Sequence, residues 1–227
     1  SVHASVGART LKRYTAVRDL EAVSLPAGLD VGAALRAYRL RPEIEYAEPD
    51  YIVHVSASPN DPLFPQMWNL LNSGQDGGTA GDDVGATLAW NLSTGDPTVV
   101  VATIDSGIDY THPDLIPNLF HDTAVCNGVN DGTNGCYGIS TVYYTASPFD
   151  DNGHGTHVSG IIGASGNNGL GVVGINWNVQ LLTCKFLDST GSGQTSDAIS
   201  CLDYVLQMKS KGYDIVATNN SWGGGEY

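Results

Sequence analysis

Two short segments of this 227-residue chain carry side chains able to move protons. The first is Ile104-Asp105-Ser106-Gly107-Ile108-Asp109, directly after the apolar run Thr98–Ile104. Asp105 therefore stands where a buried strand ends, the place from which open α/β sheets present functional groups. The same Asp-Ser-Gly would also suit an ordinary turn. The second segment is Asn152-Gly153-His154-Gly155-Thr156-His157-Val158-Ser159-Gly160-Ile161-Ile162. Here His154 sits between glycines at the start of a helix of small residues, and glycine permits close backbone approach. A metal-binding alternative pairs His154 with His157. It is the weaker reading, because the spacing is i,i+3 rather than the i,i+4 of helical zinc pairs and no third ligand is evident.

The elements that must position these groups fall into two parts. In residues 1–55, segments 10–14 and 19–25 alternate like strands, and Pro26-Ala27-Gly28 is a turn. Asp30 is the expected N-cap of a helix to about Leu40, with Val31, Ala34, Leu35 and Tyr38 on one face. Pro42 ends it, and Ile44–Val55 reads as a final strand, giving β-β-α-β. Residues 56–65 read as a linker. Residues 66–227 form the second part, with one short helix expected near Val84–Trp90. Strands are expected at Thr98–Ile104, Leu181–Leu187 and Ile215–Asn219. A helix over Thr195–Lys211 turns Ala198, Leu202 and Val205 inward and Ser200, Asp203 and Gln207 outward, and Gly212 stops it. Alternation of strand and helix predicts an α/β unit with a mainly parallel sheet.

Charge divides the chain in the same way. Residues 1–55 hold seven basic and seven acidic side chains, whereas residues 56–227 hold three against 17 and carry the whole net charge of −14. A part with three lysines and no arginine has no basic footprint for nucleic acid or an anionic membrane. No apolar run approaches the roughly 18 residues of a spanning helix.

The motifs together resemble the subtilisin-like serine proteases (subtilases, peptidase family S8). The resemblance rests on Asp105-Ser106-Gly107-Ile108 with His112-Pro113-Asp114-Leu115, and on His154-Gly155-Thr156-His157-Val158-Ser159-Gly160. Lys185-Phe186-Leu187 with Gly191-Ser192-Gly193, and Asn219-Asn220-Ser221-Trp222-Gly223-Gly224, follow in the family's order. It spans about Asn60 to Tyr227 and implies an α/β fold, a subtilisin-like, mainly parallel sheet with flanking helices. By resemblance, Asp105 orients His154, and His154 is the general base of an Asp-His-Ser triad in a serine endopeptidase. Gly191, Ser192, Gly193, Ser221, Trp222 and Gly223 would bind the backbone of a protein or peptide substrate by strand addition. The family's nucleophilic serine and its oxyanion asparagine lie C-terminal to these segments. The chain is therefore expected to be truncated and, as it stands, inactive. The alternatives are a non-catalytic binding or inhibitory protein without the nucleophile and, more remotely, a metal-dependent hydrolase.

Residues 10–55 resemble the later part of the family's inhibitor propeptide, a partial α+β, ferredoxin-like unit ending in Pro42–Tyr51. The resemblance implies that this propeptide is an intramolecular inhibitor and that cleavage falls between Val53 and Ser58. Gly166-Asn167-Asn168-Gly169-Leu170-Gly171-Val172 resembles the family's calcium loop. Structural calcium would take oxygens from Asn168, from the carbonyls of Gly166, Leu170 and Val172, and from Asp61 and Asp114. An Asn-Gly turn is the ordinary alternative. A second ion near Asp122, Asp131, Asp150 or Asp151 competes with a merely solvated acidic loop. Cys126 and Cys136 bracket a Gly- and Asn-rich loop, and Cys184 and Cys201 lie on a strand and the helix after it. Both pairs could bridge, though four cysteines allow three connectivities. A secreted, extracellular monomer is expected.

Overall fold

A computed structural model describes residues 2–51, 58–122, 136–145 and 147–224. The chain divides into two compact units, Ser1–His54 and Val55–Tyr227.

The first unit contains α1 (Val2–Val6), β1 (Arg9–Arg13), β2 (Glu21–Ser24) and α2 (Val31–Arg39). β1 and β2 pair antiparallel. Asp30 caps α2 as expected, its side chain accepting from Ala33 N. Ala34 and Tyr38 are the buried positions of α2, while Val31 is exposed. Helix α1 was not foreseen; its His3 ring bonds the Tyr38 hydroxyl at 2.9 Å. The expected closing strand is absent from residues 44–51, and residues 52–55 lie outside the described residues. Pro42 and Pro49 offer no backbone donor to a ladder, and the chain turns instead, Ile44 N donating to Arg41 O.

The second unit is built on a four-stranded sheet, all parallel, in the order β4-β5-β3-β6. The strands are β3 (Gly95–Asp105), β4 (Gly138–Ser140), β5 (Asn178–Lys185) and β6 (Asp214–Asn219). β4 was not foreseen, because three residues carry no periodic signal. A short helix α3 (Ala86–Ala89) precedes the sheet, and α4 (His154–Gly163) and α5 (Thr195–Ser210) flank it.

The near-continuous apolar runs of β3 and β5 follow from burial on both faces. Val100, Ala102, Ile104, Leu182 and Cys184 pack with Ala198, Cys201, Val205 and Met208 of α5. Leu181 and Val179 face the opposite way, into a cluster with Leu115, Leu119 and Ala164, against which Val101 and Ile162 pack. Side chains of alternate residues therefore serve two cores, with the sheet between them. The inward stripe of α5 is Ala198, Cys201, Val205 and Met208; Leu202, expected inward, is exposed. Cys201 and Met208 take the places that complete the i, i+3, i+4 series, which turns Leu202 outward.

Cys184 and Cys201 form a disulfide with a sequence separation of 17, tying β5 to α5. The pairing expected for Cys136 involves Cys126, which lies outside the described residues. Closing a loop of this size restricts the unfolded chain by about 3 kcal/mol. Replacing both Cys184 and Cys201 by alanine should therefore lower unfolding stability by about 3 kcal/mol, measured as a fall in the urea midpoint.

Candidate active site

Because all four strands run parallel, their carboxyl ends share one edge, and that edge gathers the candidate residues. Asp105 ends β3 and registers with Lys185 at the end of β5. Thr103 registers with Asn219 at the end of β6, which leads into Ser221-Trp222-Gly223.

The Asp105 side chain is fully buried and that of His154 is 47% exposed. His154 Nδ1 lies 2.8 Å from Asp105 Oδ1. The same oxygen accepts from Ser106 N at 2.6 Å, while Asp105 Oδ2 is buried without a hydrogen-bond partner. A carboxylate can only accept, so Nδ1 carries the proton, and it is the neutral ring that has a free lone pair on Nε2. Among the described residues no hydroxyl bonds Nε2. Two serines beside the pair are otherwise placed. Ser106 Oγ donates to Asp150 Oδ1 and accepts from Gly155 N, and Ser159 Oγ is buried.

Asp150 is what brings the two halves of the pair together. Its Oδ1 accepts from Ser106 Oγ at 2.9 Å, Asn152 N at 3.0 Å and Gly153 N at 2.9 Å. Its Oδ2 accepts from Thr156 N at 2.8 Å and Thr156 Oγ1 at 2.6 Å. One carboxylate thus caps the start of α4 and grips the residue after Asp105. Burial pushes this carboxyl up, but the Thr156, Gly153 and Asn152 bonds outweigh it and hold it below the ordinary range. Glycine is required on both sides of the junction. A Cβ on Gly155 would meet the Gly107 carbonyl, and Gly107, at φ 120°, passes against Pro148 O and Asp150.

The remaining expected site residues take two places. Trp222 stacks edge-on against Phe186 at 4.8 Å, and its indole N–H donates to Ile104 O, one residue before Asp105. Gly193 lies against Phe186 O. The two glycine-containing segments thus flank Phe186, and all of Gly191, Ser192, Gly193, Ser221, Trp222 and Gly223 are exposed. His157 is exposed on α4, and no group of three metal-ligating His, Cys, Asp or Glu side chains occurs among the described residues.

With that geometry in place, the comparisons are specific. Residues 96–227 match the model of the subtilase family. The chain belongs to that family. Residues 1–50 match the fervidolysin N-terminal prodomain. The thermophilic serine proteinase of Bacillus sp. (strain AK1) is 34% identical over 212 residues, covering 90% of this subtilase chain and 46% of that protein. Subtilisin-like protease 1 of Plasmodium berghei is 44% identical over 119 residues, 49% of this chain and 20% of its own. The chain therefore spans between a fifth and about half of these relatives. The crystal structure of the Aeromonas sobria serine protease in complex with the chaperone ORF2 superposes with a TM-score of 0.55 at 29% identity, over 76% of this chain and 27% of that one.

Asp61, Asp114 and the loop 166–172 lie together. Asp114 Oδ1 accepts from Asn168 Nδ2 and its Oδ2 from Val172 N. Asn168 Oδ1 accepts from Leu170 N, and Asp61 Oδ2 from Asn167 N. Asp61 Oδ1 is buried with no hydrogen-bond partner. Burial, and more weakly Asp114, raise the Asp61 carboxyl above its ordinary range. Of the residues weighed for a second ion, Asp122 is bound by Lys211 and Tyr213, Asp150 is the cap described above, and Asp151 pairs with Lys185. Asp131 lies outside the described residues.

The sequence reading weighed Asp150 only for a second ion and Lys185 only as part of a motif, and gave neither a place in the Asp105–His154 arrangement. Asp150 did carry a signal, an Asp just ahead of the helix that His154 opens. Five bonds to one carboxylate make Asp150→Ala costly, by about 3 kcal/mol. Its folded-state value is depressed, so its contribution is present above the ordinary carboxylate range and lost as pH falls through that depressed value. Urea unfolding of Asp150→Ala across acid to neutral pH should show a deficit that shrinks on acidification.

Proposed function

We propose that the protein is the propeptide and Asp-His-bearing portion of a secreted serine endopeptidase, acting on peptide bonds of proteins. The observation that carries this reading is the 2.8 Å bond from a half-exposed His154 to a fully buried Asp105. Asp105 fixes the ring with Nδ1 protonated and stabilises the imidazolium that forms. His154 Nε2 then takes the proton of a serine hydroxyl and later returns it to the leaving amine. In this reading the serine and an oxyanion-stabilising asparagine lie beyond Tyr227 in the complete protein, so the present chain binds peptide without cleaving it. Gly191–Gly193 and Ser221–Gly223 pair with the substrate backbone on its two sides. The first unit serves as the chain's own inhibitor, and the enzyme is a monomer. The match of residues 1–50 to a prodomain supports that role.

Calcium completes the proposal. The all-oxygen set of Asp61, Asp114, Asn168 and the carbonyls of Gly166, Leu170 and Val172 suits a hard cation. The buried, unpartnered Asp61 Oδ1 fits a ligand oxygen. Bound calcium would hold the loop that follows α4.

The complete protein should label with a fluorophosphonate and cleave casein, and His154→Ala should lower kcat by roughly four orders of magnitude or more. Failure of the wild type to label would sink the serine mechanism. For calcium, chelation should lower Tm by several degrees in the wild type, and Asp61→Asn should shrink that difference.

A further inference from the structure

Lys185 is 1% exposed, one of the few charged side chains buried to that degree. A methionine of similar length would fill the same space without burying a charge, so packing does not explain a lysine. Its ammonium has three donors, and three acceptors meet them. Nζ donates to Ser106 O at 2.6 Å, to Asp151 Oδ1 at 2.6 Å and to Leu187 O at 2.7 Å. The three acceptors belong to three parts of the site. Ser106 follows Asp105. Asp151 lies three residues before His154, on the loop that starts α4. Leu187 begins the stretch leading to Gly191–Gly193.

We infer that Lys185 is a positioning residue, whose buried ammonium locks the Asp105 turn, the His154 loop and the Gly191–Gly193 wall into one register and supplies the local cation of the site. The inference rests on the endopeptidase reading above. Charges around it are mostly negative. Asp105 and Asp150 lie beside His154, and Asp151 binds Lys185 directly. Asp188, after the same strand, has its carboxyl lowered mainly by Thr190 and Ser192 bonds, with a smaller part from Lys185. The Tyr143 ring lies 5.7 Å from Nζ, and its hydroxyl contacts Asp151. Asp109, His112 and Asp114 are the further titratable groups packed near α4, which itself carries His157.

Three variants of the protein test this by NMR of the His154 ring. Lys185→Met removes a cation that opposes the imidazolium, so the midpoint pH of the ring signals rises by roughly half a pH unit. Asp151→Asn removes an anion and moves the midpoint down. Lys185→Arg keeps the charge and holds the midpoint near that of the wild type. A lysine serving only to hold the fold would not give shifts of opposite sign. In the complete protease, Lys185→Met also lowers kcat by roughly a hundredfold and raises KM, because the turn and the cleft wall lose one shared anchor. An unchanged midpoint in folded Lys185→Met overturns the inference. If that variant does not fold, an unchanged midpoint in Asp151→Asn overturns it instead. A wild type that titrates in this way but cleaves nothing overturns the endopeptidase reading alone.

Discussion

Asp150 has the parts of the site at either end of its two oxygens. Asp105 at the end of a strand and His154 at the start of a helix belong to segments 49 residues apart in sequence. Their meeting at hydrogen-bond distance requires the helix start and the strand end to be fixed against each other. Asp150 does this with five accepted bonds, three of them from backbone N–H groups: Asn152 and Gly153 just before α4 and Thr156 in its first turn. Those N–H groups have no partner within the helix, so a carboxylate there satisfies donors that folding would otherwise leave bare. The bond from Ser106 Oγ then carries the constraint across to the turn after Asp105. Gly107 and Gly155 remove the side chains that would hold the two backbones apart.

Parallel strands supply the remaining order. When neighbouring strands run in one direction, their carboxyl ends lie along one edge, and residues distant in sequence gather there. Asp105, Lys185 and Ser140 share a row across β3, β5 and β4. The Trp222 indole reaches Ile104 O from the chain that leaves β6. The cost of burying the Lys185 charge is offset by filling all three of its donors, two from backbone carbonyls and one from a partly exposed carboxylate.

Part of the acidic excess of the second unit lies inside the fold rather than on its solvated surface. Asp61, Asp105, Asp114, Asp122 and Asp150 are all buried, and among the described residues each accepts at least one hydrogen bond or ion pair. Aspartate is used here as a short acceptor that organises loops. Asp188 and Asp96 do the same on the surface, each gripping the Thr two residues on.

The sequence by itself determined the long strands β3, β5 and β6, the helix α5 and the cap at Asp30, and it singled out Asp105 and His154, which the structure brings to hydrogen-bond distance. Each rests on a local pattern: an apolar run, a helical period, a capping side chain or a motif. It did not determine β4, α1 or the lack of a strand over 44–51, because three- and five-residue elements carry too little periodicity and a strand needs a partner that only the fold supplies. Cys184 and Cys201 were legible as a strand and helix pair, yet the choice among three connectivities needed their positions in space. Leu202 read as core, and only the packing of Cys201 and Met208 against the sheet turned it out to solvent. Asp150 read as a candidate for a second ion in an acidic loop and Lys185 as one residue of the Lys185-Phe186-Leu187 motif. Their work is done through bonds to residues that are 44 and 79 positions away in sequence, and contacts of that range exist only once the parallel sheet has brought its strand ends to one edge.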